Sequence, residues 1–204
     1  QRMVKIKEIN KEILLLFQQY GIRCLTMDDI ANKLGCSKKT LYVFYANRED
    51  LVNKVISQDM AVHQKEIQGI IKQNINPIDE LFLLNKLALK KIKTIHPTTQ
   101  YELKKYYPLA WKVFDDKHKN LVFKVTLSNI KRGIKIGLYR EEINPELMAK
   151  IFAENIDIVF NGVVFNSENS SFSDVFYEYM THYIHGIINE NGKIYFLQNL
   201  NKSL

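Results

Sequence analysis

At 204 residues, with 46% hydrophobic and 25% charged side chains, the chain has the composition of a globular protein with a sizeable core, arranged as one large helical domain or two smaller ones. Its four Pro and eight Gly are scattered, which excludes a low-complexity segment, and no run of about eighteen apolar residues is present to span a membrane. The net charge of +7 permits an anionic partner but is unevenly spread: residues 86–135 hold thirteen Lys/Arg against three Asp/Glu, residues 136–204 four against nine.

A solvated, Lys-rich helical surface accounts for most of that central excess. The two cysteines, Cys24 and Cys36, lack the spacing of a metal or redox motif and read as small buried hydrophobes in a reducing compartment. The apolar run from Ile13 to Phe17 is too short for a secretory signal and lies on a charged amphipathic helix, so the expected location is the cytoplasm.

Taken in order, Ile6, Ile9, Ile13 and Phe17 recur at steps of three and four, predicting a helix over 5–20 that Gly21 ends as a left-handed cap. Thr26 then reads as an N-cap, with Asp29 three residues on as an approximate capping box. The helix it opens runs from Met27 to Leu34 and turns Ile30, Ala31 and Leu34 inward. Gly35 supplies the residue that takes positive φ at the turn, and Ser37 caps a further helix whose Leu41 and Phe44 face back. Ala31, Gly35 four residues on and Leu41 ten residues on are the offsets of a helix-turn-helix. Asn47 caps a fourth helix, with Asp50 at its third position.

Residues 21–51, GIRCLTMDDIANKLGCSKKTLYVFYANREDL, resemble the N-terminal DNA-binding domain of the TetR family of bacterial transcriptional regulators. The likeness rests on Gly21, Thr26, Ile30-Ala31, Leu34-Gly35, Ser37, Thr40-Leu41-Tyr42 and Asn47 to Leu51, with Lys39 where the family often has Gly or Pro and Arg48 where it usually has Lys. The resemblance implies an all-α homodimer, usually a repressor, whose variable C-terminal domain binds a small effector and dimerises. The expected division is residues 1–46 as a three-helix DNA-binding domain and 47–204 as a larger helical effector-binding and dimerisation domain, joined by the helix from 47.

Beyond the motif, Asn76-Pro77 predicts a helix to about Ile95, broken by His96-Pro97, and Pro108 interrupts an aromatic-rich stretch over 98–114. A long helix is expected from about Asp115 to Ile136, stopping at Gly137. Asn144-Pro145 opens another helix, with Leu147, Ile151, Ile156 and Val159 apolar, before the polar loop SENSSFS. Ser173 is expected to cap the last long helix, in which Phe176, Tyr179, Met180, Tyr183, Ile184 and Ile187 form an apolar stripe.

For DNA, the helix from Ser37 is expected in the major groove, with Lys38, Lys39, Thr40 and Val43 near base edges or phosphates. Thr26, Ser37, Tyr42, Asn47 and Arg48 are the candidates for backbone contacts, Tyr42 having a half-buried core position as its alternative. Helices 145–164 and 173–188 are assigned to a four-helix dimer interface, although their aromatics also suit the core of one chain. An effector, of unreadable identity, would meet Tyr101, Lys104, Tyr107, Trp111 and Phe114, with Tyr106, Lys105 and Lys112 nearby. No nucleophile, phosphate-loop, zinc or dinucleotide motif is present, and the expectation is a non-enzyme without metal or cofactor. The competing reading keeps the DNA-binding head but gives the C-terminal domain a protein partner in place of a small ligand.

Overall fold

The computed structural model describes residues 2–96, 98–156 and 171–199. These form ten helices, and among the described residues there is no β-strand, only one isolated bridge between Tyr139 and Ile188. They are α1 Arg2–Tyr20, α2 Met27–Lys33, α3 Lys38–Phe44, α4 Arg48–Ile71, α5 Pro77–Thr94, α6 Thr99–Tyr106, α7 Pro108–Lys135, α8 Pro145–Asn155, α9 Phe172–Ile187 and α10 Glu190–Asn199. The all-α class expected from the sequence is the one observed. Among the described residues, no helix is long and apolar enough to cross a membrane, and no group of His, Cys, Asp or Glu is arranged to hold a metal ion.

The chain divides into two compact units: residues 1–65 with 94–118, and residues 66–93 with 119–204. In the first, Ile13 and Phe17 of α1, Ile30 and Ala31 of α2, Leu41 of α3 and Leu51, Val52 and Val55 of α4 close one core, joined by Leu103 of α6 and Ala110 of α7. In the second, Ile78 and Leu81 of α5, Ile130 of α7, Phe152 of α8, Phe196 of α10 and the stripe Phe176, Met180, Tyr183, Ile184 and Ile187 of α9 close another. The α9 stripe is therefore buried inside its own unit. Among the described residues, the large hydrophobic side chains that α8 and α9 leave exposed are Leu147, Ile151 and Tyr177. Val159 and most of the loop SENSSFS lie outside the described residues.

Several boundaries differ from expectation for local chemical reasons. Helix α7 begins at Pro108 instead of Asp115, because proline's fixed φ and missing N–H suit a first helical position. Ser171, not Ser173, caps α9: its Oγ accepts from Asp174 N at 3.2 Å while the Asp174 carboxylate accepts from Ser171 N at 2.8 Å, and only the residue three before Asp174 can close that reciprocal pair. Helix α10, not anticipated, contains Gly192, a poor helix former. Asn189 Oδ1 accepts its N–H at 2.9 Å, and a Cβ there would lie 2.1 Å from the Leu138 carbonyl oxygen. The cysteines also differ, Cys24 being exposed and Cys36 half-buried.

Candidate nucleic-acid interface

The geometry of α2 and α3 follows from short-range chemistry. Thr26 Oγ1 accepts from Asp29 N at 3.1 Å, and the Asp29 carboxylate accepts from Thr26 N at 2.8 Å and from Thr26 Oγ1 at 2.6 Å. These bonds satisfy helix-start donors and hold the Asp29 carboxyl below its ordinary value, the Thr26 hydroxyl being the largest cause. Gly35 turns the chain at φ +64°, which lets Cys36 N reach the Ala31 carbonyl at 2.9 Å. Ser37 then caps α3, its Oγ accepting from Thr40 N at 3.1 Å and lying 2.8 Å from Thr40 Oγ1. Beyond α3, Asn47 Oδ1 accepts from Asp50 N at 2.8 Å and starts α4.

One side of α3 is sealed and the other is open. Leu41 is 1% exposed, whereas Tyr42 is 45% and Val43 56% exposed. Lys38 and Lys39 are exposed too, and Thr40 is half-buried. Tyr42 therefore stands outward, and the half-buried alternative does not apply to it. Lys38 Nζ lies 2.9 Å from Asp28 Oδ2 across the α2–α3 turn, a pair that raises the lysine's pKa, with the hydrogen bond as the first cause. Lys38 is thus oriented before any ligand arrives, by an acidic residue ten positions earlier that periodicity did not mark.

Arg48 is engaged inward. Its Nη2 donates to the Ile22 carbonyl oxygen, its Nε donates to Tyr107 Oη at 3.4 Å, and its guanidinium lies 5.2 Å from the centroid of the Phe17 ring. The sequence signal, a cation at a helix start, does not distinguish this arrangement from an outward one. Glu102 of α6 is a second residue without a local signal. Only 7% exposed, it accepts from Ile22 N at 2.7 Å, Arg23 N at 2.9 Å and Thr98 Oγ1 at 2.8 Å, and so fixes the loop between α1 and α2.

The five residues expected around an effector all fall in the first unit. Tyr107, Trp111 and Phe114 pack against its core, and Lys104 Nζ lies 4.6 Å from the centroid of the Trp111 ring. Tyr101 is 57% exposed, and its hydroxyl accepts from Lys105 Nζ at 2.7 Å. Phe114 also borders a small depression with Ile56, Met60, Ala110, Val113 and Lys117. Tyr101 does not join that lining.

Comparison with known proteins agrees with this geometry. Residues 11–55, which span most of α1, all of α2 and α3 and the first turns of α4, match the family model described as bacterial regulatory proteins, tetR family. Over 159 residues the chain is 29% identical to an HTH-type transcriptional regulator, YvaF, of Bacillus subtilis, covering 76% of this chain and 80% of that protein. It is 21% identical over 143 residues to the HTH-type transcriptional repressor KstR2 of Mycobacterium tuberculosis, covering 68% and 71%. The fold is similar to a transcriptional regulator from Saccharomonospora viridis solved in complex with choline, with a TM-score of 0.73, 17% identity, and coverage of 93% of this chain and 100% of that one. With its helix-turn-helix in place, the chain carries over residues 11–55 a segment that matches the tetR family of bacterial regulatory proteins, and its helical fold is similar to that of the Saccharomonospora viridis regulator.

Proposed function

We propose that the protein is a ligand-responsive repressor that binds a palindromic operator as a homodimer and is released by a small effector. The observation that carries the DNA reading is the two-sidedness of α3: Leu41 is sealed at 1% exposure while Tyr42 and Val43 stand out at 45% and 56%, beside exposed Lys38 and Lys39. A short helix anchored on one side and presenting cations, a hydroxyl and apolar groups on the other suits the major groove, where thymine methyls and acceptor edges lie. Lys38, Lys39, Thr40 and Val43 are assigned to base edges and neighbouring phosphates. Thr26, Ser37, Tyr42 and Asn47 are assigned to the backbone, and Arg48 joins them only on leaving Ile22 and Tyr107.

One head offers few base contacts, so a two-fold pair with recognition helices about 34 Å apart is the expected unit. The exposed Leu147, Ile151 and Tyr177 of α8 and α9 are the proposed apolar contribution to that dimer. Repression and effector release are proposed by analogy with the repressor KstR2 and the choline-bound regulator. The functional division into 1–46 and 47–204, and the assignment of Tyr101, Lys104, Tyr107, Trp111 and Phe114 to an effector, belong to the same proposal.

The experiment is a comparison of wild type with Lys38→Ala plus Lys39→Ala on a duplex selected from a random pool by the wild-type protein. Loss of affinity, with a shallower dependence on salt, is the expected result, since each phosphate neutralised contributes a slope of about −0.9. Unchanged affinity and sequence preference in a folded variant would remove both lysines from the reading role.

A further inference from the structure

Helix α3 has seven residues, too few to be stable alone, so the direction in which it presents its side chains depends on what holds its two ends. The N-terminal end is fixed by Ser37 and by the burial of Leu41. At the other end, the final carbonyls lack intrahelical partners and carry the negative end of the helix dipole. There Lys54, in the second turn of α4, donates from Nζ to the Phe44 carbonyl oxygen at 2.9 Å and to Asp50 Oδ2 at 2.7 Å. The same Asp50 oxygen accepts from Ala46 N at 2.8 Å, so one ion pair holds both flanks of the break at Tyr45. Burial raises the Asp50 pKa, but the bonds from Lys54 and Ala46 outweigh it and leave the carboxyl below its ordinary value. Tyr45 itself is fully buried and donates to Asn10 Oδ1 at 2.6 Å, which ties the same point to α1.

We infer that Lys54 is a positioning residue for DNA recognition: it latches the C-terminal end of α3 and thereby sets the pose of Tyr42 and Val43, without itself neutralising a phosphate. The inference rests on the proposed DNA reading. Its physical basis is that Tyr42 and Val43 lie in the last turn of α3, where a small rotation moves their tips furthest. Two of Lys54's ammonium donors are already directed at Phe44 and Asp50, and its Nζ lies 5.7 Å from the centroid of the Tyr45 ring. An i,i+4 Asp–Lys pair on a helix is ordinarily a minor surface contact. Here the second acceptor belongs to another helix, and the pair becomes a joint.

The test uses the full chain, as wild type, Lys54→Gln and Lys54→Arg. Each binds a duplex selected by the wild type from a random pool, and a scrambled duplex of the same composition, at several salt concentrations. Lys54→Gln is expected to weaken the selected duplex about tenfold, the lower end for a charge-assisted hydrogen bond, and to leave the scrambled duplex and the salt slope unchanged. Lys54→Arg, which keeps charge and donors, should recover most of the loss. Amide exchange at Tyr45 and Ala46 should speed up in Lys54→Gln, reporting the latch independently of DNA. Equal weakening on both duplexes, with the slope reduced by about 0.9 per protomer, would make Lys54 a phosphate contact and overturn the inference. Unchanged binding or unchanged exchange would overturn it as well. A wild-type protein that selects no duplex would sink the DNA reading together with this one, whereas a wild type that selects DNA beside an unaffected variant defeats this one alone.

Discussion

The Glu102 carboxylate makes the most quantitative prediction about the DNA-binding unit. Replacing it with Ala removes the acceptor for Ile22 N, Arg23 N and Thr98 Oγ1, three donors that it holds within 2.9 Å. A buried donor left without a partner costs about 1–3 kcal/mol, and the bond to Ile22 is the buried one. Arg23 and Thr98 lie nearer solvent, where water substitutes for much of what they lose. Removing the carboxylate also removes the cost of burying a charge, so the net loss for Glu102→Ala is about 2 kcal/mol. For a chain of this size that lowers the melting temperature by roughly 4–8 °C. Glu102→Gln should cost less, under about 1 kcal/mol, because an amide can turn its Oε1 to the two backbone donors and its Nε2 to the Thr98 hydroxyl. Urea unfolding of the three proteins at pH 7 is the assay. If Glu102→Ala loses under about 0.5 kcal/mol, less than one typical hydrogen bond contributes, or if Gln is worse than Ala, the carboxylate is not what holds the α1–α2 loop.

The other predictions concern packing and protonation. Leu41→Ala, at a site 1% exposed, should cost about 2–5 kcal/mol in chemical unfolding and remove sequence-specific DNA binding. Gly133→Ala would put a methyl 2.1 Å from the Tyr139 ring and unseat its hydroxyl from Asn129 Oδ1, with an expected cost of about 1–3 kcal/mol in thermal melts. For Asp50→Asn the prediction is a pH profile. The folded carboxyl titrates below its unfolded value of about 3.9, so its stabilisation is complete above that pH and is lost as pH falls through the folded pKa. The stability gap between wild type and Asp50→Asn should therefore be constant from about pH 7 to about pH 5 and shrink below about pH 4. A gap that persists at the acid end would show that the charge is not its source.

What could be read from the chain is what local chemistry decides. The Thr26 and Asp29 pair, the Ser37 and Asn47 caps and the Asn144 cap ahead of Pro145 each depend on residues two to four positions apart, and the positive φ of Gly21 and Gly35 depends on the glycine itself. Partners far apart in sequence left no such trace. Glu102 meets Ile22 across 80 positions, Arg48 meets Tyr107 across 59, and Tyr195 donates to Asp79 across 116. Helix α10 has little amphipathic pattern, because its place depends on Asn189, which donates to the carbonyls of Gly137 and Tyr139 and accepts from Gly192. The aromatic stretch 101–114 has a composition that suits both a ligand lining and a core. Only the fold reveals that Tyr107, Trp111 and Phe114 lie against the core of the DNA-binding unit while Tyr101 faces out.

The central claim is that α3, presented twice by a two-fold dimer, reads a defined DNA sequence. Selection of duplexes from a random pool by the full-length protein at near-physiological salt, followed by sequencing, tests it most directly. The expected result is an enriched inverted repeat whose half-site centres lie about one helical turn apart, or somewhat more, with preferences that change on Lys39→Ala. Enrichment of no sequence, or of a single asymmetric site indifferent to substitutions in α3, would contradict it.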